Sequence, residues 1–87
     1  MHEASLMRDL MQKIFKVAAE GSARNVTSVR VWLGALSHMS PDHFREHFET
    51  ASLGTIAENA ALKFETSTDI GDSNAQDIVL LGIEVET

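Results

Sequence analysis

From Ala4 to Glu20 the apolar residues Leu6, Leu10, Ile14 and Val17 recur at intervals of three and four, with Met7, Met11 and Ala18 beside them. That spacing predicts a helix with a wide apolar stripe, stopped by Gly21. Between Val26 and Leu36 the period changes to two. Val29, Val31 and Leu33 fall on one side and Ser28, Arg30 and Trp32 on the other, the pattern of a half-buried strand. Ser40-Pro41-Asp42 reads as a second helix start, with Ser40 as N-cap and Pro41 at the first helical position. Phe44, Phe48 and Ala51 then share a face, and Gly54 closes the helix. Alternation returns from Ala61 to Thr66, with Leu62 and Phe64 inward and Lys63 and Glu65 outward. Ile78 to Val85 forms a third, more apolar strand. The polar segment Ser67 to Gln76 is rich in turn formers, and we expect it to close a hairpin between the last two strands.

The order helix, strand, helix, strand, strand predicts a single α+β domain over residues 1–87, with two helices packed on one face of a three-stranded mixed sheet. The expected core draws Leu6, Leu10 and Ile14 from the first helix, and Phe44 and Phe48 from the second. Val29, Val31, Leu33, Leu62 and Phe64 come from the first two strands, and Val79, Leu81, Ile83 and Val85 from the third. The opposite sheet face is open in this arrangement and carries Trp32. A large aromatic there reads either as a contact surface, for a homodimer or another protein, or as a partly covered surface side chain.

Composition narrows the function classes. A chain of 87 residues supports one modest core but no enclosed substrate cavity with its own lid. A formal charge of −6 argues against nucleic acid or an anionic membrane surface as the main partner. The charge is also unevenly placed. Arg8, Lys13, Lys16, Arg24 and Arg30 stand in the first 30 residues, Lys63 is the only Lys or Arg after Arg45, and the acids crowd the rest. That asymmetry reads as a docking dipole or as an ordinary solvated acidic surface. No signal peptide is readable at the N-terminus, where Glu3 and Asp9 stand in the first turns, and no apolar run reaches the roughly 18 residues of a membrane span. The absence of cysteine fits a reducing cytoplasm.

The candidate chemistry lies at the N-terminus. Met1-His2-Glu3 offers the α-amine of Met1, the backbone nitrogen of His2 and the His2 imidazole, which can close adjacent five- and six-membered chelate rings around one divalent ion. In-plane nitrogen donors suit Ni(II) or Cu(II) better than tetrahedral Zn(II) or the oxygen-seeking Mg(II) and Ca(II). Glu3 either adds a donor or is an acidic first-turn residue favoured by the helix dipole. His43 and His47 form an i, i+4 pair on the second helix, and with His38 they make a histidine-rich corner. That corner is an alternative set of ligands or simply surface histidines. No serine sits in a nucleophile-elbow context and no glycine-rich phosphate loop precedes a helix, so the chain reads as something other than an enzyme.

Longer stretches carry a resemblance. His2-Glu3-Ala4-Ser5-Leu6, then the run from Val26 to Ser37 with Trp32-Leu33-Gly34-Ala35-Leu36, Pro41, Phe44-Arg45-Glu46-His47-Phe48-Glu49, Gly54-Thr55, Ala60-Ala61-Leu62 and Ile83-Glu84-Val85-Glu86 follow one family's order and spacing. The chain resembles the HypA family of nickel-incorporation metallochaperones that serve hydrogenase and urease maturation. The resemblance implies Ni(II) bound at Met1, His2 and Glu3, and a maturation GTPase or a nickel-enzyme precursor as partner. The family usually has two Cys-x-x-Cys pairs that bind zinc between the second and third strands. Here residues 67–77 hold neither cysteine nor histidine, so we expect the zinc module to be absent and replaced by a short turn segment. Three readings follow: a nickel metallochaperone or accessory factor, a metal-free interaction module on the same scaffold, and an N-terminal Cu(II) binder, since copper holds such a chelate more tightly.

Overall fold

The computed structural model describes residues 3–87. Its elements are α1 (Glu3–Glu20), β1 (Asn25–Leu33), α2 (Pro41–Ser52), β2 (Ala61–Thr66) and β3 (Ile78–Glu86), in the order the sequence predicts. α1 ends where Gly21 donates its N–H to the carbonyls of Val17 and Ala18. The left-handed residue of that turn, however, is Ser22 at φ 53°. α2 starts as read: Ser40 Oγ accepts the His43 N–H at 3.2 Å, with Pro41 in the first turn. Gly54, just beyond its end, takes φ 76°, a conformation that costs a glycine little.

The sheet is mixed, in the order β2-β1-β3. β1 runs parallel to β2 and antiparallel to β3. The expected hairpin between β2 and β3 is therefore corrected, because β1 stands between them. Val29, Val31 and Leu33 of β1 are no more than 1% exposed, and a strand so apolar is best placed where both of its edges are paired. Residues 67–77 instead cross the end of β1, over the two strand spacings of about 10 Å that separate its neighbours. β1 and the residues after it hold this crossing. Ser67 donates its N–H to the Leu33 carbonyl at 3.0 Å, Gly34 donates to Asp77 at 2.9 Å, and Leu36 donates to Ala75 at 2.7 Å. A Cβ on Gly34 would lie 2.6 Å from the Ala75 carbonyl carbon and 2.8 Å from the Asn74 oxygen, so only glycine lets the two backbones approach this closely. Asp69 and Asp72 turn the segment by accepting the N–H groups of Gly71 and Asn74 at 2.9 and 2.7 Å.

One core lies between the helices and one sheet face. Met7, Leu10, Met11, Ile14 and Ala18 of α1 meet Phe44 and Phe48 of α2 and Val26, Val29, Val31 and Leu33 of β1. Phe44 stacks on Phe48 at 6.1 Å between ring centroids and meets Phe64 edge-on at 5.4 Å. Several expected core positions are corrected. Leu6 is 39% exposed, and Val17, read on the same apolar stripe, is 45% exposed, because the buried stripe of α1 runs through Met7 and Met11 instead. Ser52 rather than Ala51 continues the buried face of α2. In β3, Ile78, Leu80 and Ile83 pack inward, whereas Val79, Leu81 and Val85 are each 38% exposed. The register explains the shift. Val31 faces Leu80 and Arg30 faces Gly82, so Leu81 is an extra residue that reverses the alternation before Ile83.

Candidate metal centre

The chelating atoms of Met1 and His2 lie outside the described residues. Glu3 opens α1, one helical turn before Met7. Met7, Arg8 and Met11 line an open cleft of about 410 Å³ whose other wall is His47, Thr50 and Ala51 of α2. Met7 and Met11 of α1 thus stand across the cleft from His47. Arg8 points a guanidinium nitrogen at Ser5 Oγ on its own helix, at 3.4 Å.

Across the cleft, α2 brings His43 and His47 together. Their Nε2 atoms are 3.0 Å apart and the ring centroids 4.8 Å, with the planes tilted by 44°. The helix repeat places the two side chains one above the other. The buried anchors Phe44 and Phe48, one position further along in each case, fix the helix face that carries them. His38 does not join the pair. It is exposed, at φ 59°, in the turn before α2, and among the described residues no group of three or more His, Asp or Glu side chains is placed to hold one ion. Met39 is buried at 7% and belongs to the core.

The sheet face away from the helices carries Trp32, which is half-buried. It stands between Glu65 of β2 and Val79 of β3 in the pairing register. Further along this face Lys63 of β2 reaches Glu84 of β3 at 3.4 Å. Because Arg30 pairs with Lys63 and Ser28 with Glu84, this exposed ion pair spans the central strand. Its energetic weight is small, since both partners are solvated. No described helix is long and apolar enough to cross a membrane.

Comparison with known proteins adds what geometry alone does not carry. Residues 1–71 match the family model described as hydrogenase/urease nickel incorporation, metallochaperone, hypA. The chain is 40% identical over 72 residues to the hydrogenase maturation factor HypA of Archaeoglobus fulgidus, covering 83% of this chain and 64% of that protein. It is 38% identical over 63 residues to the protein of the same name from Rhizobium leguminosarum, covering 72% and 56%. The chain therefore spans less than two thirds of the length of these relatives. In three dimensions it superposes on the solution structure of the Ni metallochaperone HypA from Helicobacter pylori with a TM-score of 0.80 and 19% identity. The superposition covers 99% of this chain and 98% of that one, a likeness of fold.

Proposed function

The chain belongs to the hydrogenase/urease nickel-incorporation family, hypA, a family of metallochaperones and not of enzymes, and from that premise we propose that it carries Ni(II) on its Met1-His2-Glu3 motif. The observation that supports this most is where the family match begins: it spans residues 1–71 and so includes the triplet. The Met1 amine, the His2 amide nitrogen and the His2 imidazole supply three in-plane nitrogens, and Glu3, next in sequence, is a candidate for a fourth donor. The cargo is delivered to a protein partner, a maturation GTPase or the precursor of a nickel enzyme such as hydrogenase. Trp32 and Val79, on the sheet face away from the helices, are the surface we assign to that partner. In cells lacking this chain and grown at limiting nickel, the wild type is expected to restore nickel-enzyme activity, and His2→Ala to restore it only when nickel is added in excess. Full restoration by His2→Ala at limiting nickel contradicts the carrier role of the motif.

We further propose that this domain folds without zinc. Its sequence has no cysteine, and the segment at 67–77 is organised by hydrogen bonds to β1 and by its own aspartates rather than by metal ligands. A metal that binds only the folded state adds to its stability, and its removal lowers the melting temperature. A strong chelator is expected to leave the melting temperature of the purified protein unchanged. Stoichiometric zinc by elemental analysis, together with unfolding on chelation, would overturn this expectation.

A further inference from the structure

The separation of the two histidines on α2 carries information about the ion it suits. An imidazole nitrogen binds a divalent first-row ion at about 2.0–2.1 Å. Two such nitrogens at a right angle about the ion then lie about 2.9 Å apart, and at the tetrahedral angle about 3.4 Å apart. His43 Nε2 and His47 Nε2 are 3.0 Å apart, the edge of a square-planar or octahedral site. The same separation allows one ring to donate its Nε2–H to the other, so binding of an ion by both Nε2 atoms requires the donor ring to take the Nδ1–H tautomer and leaves the backbone of α2 where it is. The helix is held by Phe44 and Phe48, 1% and 2% exposed, so the pair is in place before the ion arrives. Both rings are half-buried, and His47 opens onto the cleft shared with α1.

We propose that His43 and His47 form a second divalent-metal site, a bidentate imidazole pair for Ni(II), on a different element from the N-terminal triplet. The pair's own geometry carries this proposal, and it stands whether or not the triplet binds nickel. His47 of this site opens onto the cleft between α1 and α2.

The test uses His2→Ala protein, which lacks the N-terminal chelate, titrated with NiCl2 and followed by amide NMR, with circular dichroism to check the fold of every variant. Nickel is expected to broaden the amides around residues 43–48 selectively. Adding His43→Gln or His47→Gln is expected to weaken this binding at least about tenfold, since even ligand-supporting groups outside the coordination sphere typically cost 10- to 100-fold. Glutamine keeps a polar side chain of similar reach, so the helix is expected to persist. The proposal is overturned if His2→Ala protein shows no selective broadening around residues 43–48, or if folded glutamine variants on that background bind nickel as tightly as their parent. Loss of nickel binding in His2→Ala alone would leave the N-terminal carrier reading intact while removing this one.

Discussion

Phe44→Ala is expected to cost about 3–5 kcal/mol of folding stability, the range for truncating a buried phenylalanine whose cavity cannot fully collapse. Phe44 is 1% exposed, stacks on Phe48 and meets the edge of Phe64. Its loss therefore empties the contact between α2 and β2 and removes two aromatic pairs worth about 0.5–1.5 kcal/mol each beyond their buried area. For 87 residues, a whole-domain stability of roughly 0.05–0.15 kcal/mol per residue amounts to about 4–13 kcal/mol. One substitution thus removes a large fraction, and at the low end of that range it unfolds the domain. Leu6→Ala serves as the comparison. Leu6 belongs to the apolar stripe read from the sequence but is 39% exposed, and its truncation is expected to cost less than about 1 kcal/mol. Urea unfolding at 25 °C measures both. Equal midpoint shifts for the two variants would contradict the packing described above.

The contrast between Leu6 and Met7 shows what the sequence carries and what it does not. The helical period of residues 4–20 predicts α1, but Leu6 and Met7 are neighbours about 100° apart on the helix and similarly apolar. Which of them faces inward depends on where α2 and the sheet lie, a tertiary fact. The alternation of β1 was legible at Val29, Val31 and Leu33, which are buried as it requires, whereas Ser28, read on the other side, is buried too at 4% and the strand ends at Leu33. In β3 the same reasoning held for Ile83 and failed for Val79, Leu81 and Val85. A continuous apolar run gives no sign of the extra residue at Leu81, whereas a polar residue on one face would have exposed the phase change. The hairpin expectation failed for a related reason: turn chemistry in residues 67–77 marks a reversal of direction without saying whether a third strand stands between the two arms. Gly34 carried a usable signal. A glycine directly after an apolar strand often marks close backbone approach, and here it admits the crossing segment.

The candidate sites divide in the same way. Met1, His2 and Glu3 are adjacent in sequence, so the donor atoms they could offer are readable from order alone. The i, i+4 spacing of His43 and His47 was readable too, but their 3.0 Å separation, which distinguishes a right-angled from a tetrahedral site, is a property of side-chain geometry. His38 illustrates the limit of proximity in sequence. It stands five residues before His43 yet lies in a turn with φ 59° and does not join the pair.

The second large effect concerns nickel affinity at the N-terminal motif. The proposed chelate needs the Met1 amine unprotonated and unblocked, the His2 imidazole neutral, and the His2 amide proton displaced by the metal. Affinity at this site is therefore expected to rise with pH and to be weak in acid. One residue added before Met1 turns the amine into a non-basic amide and moves the new terminus out of the chelate ring, although every side chain is kept. The decisive measurement is isothermal titration of Ni(II) into protein that begins at Met1, a form extended by one residue, and His2→Ala. The account predicts that extension and His2→Ala each weaken the tighter site by at least about 100-fold, while His43→Gln/His47→Gln leaves that site in place. Nickel bound by the extended and His2→Ala forms as tightly as by protein that begins at Met1 would contradict the N-terminal site.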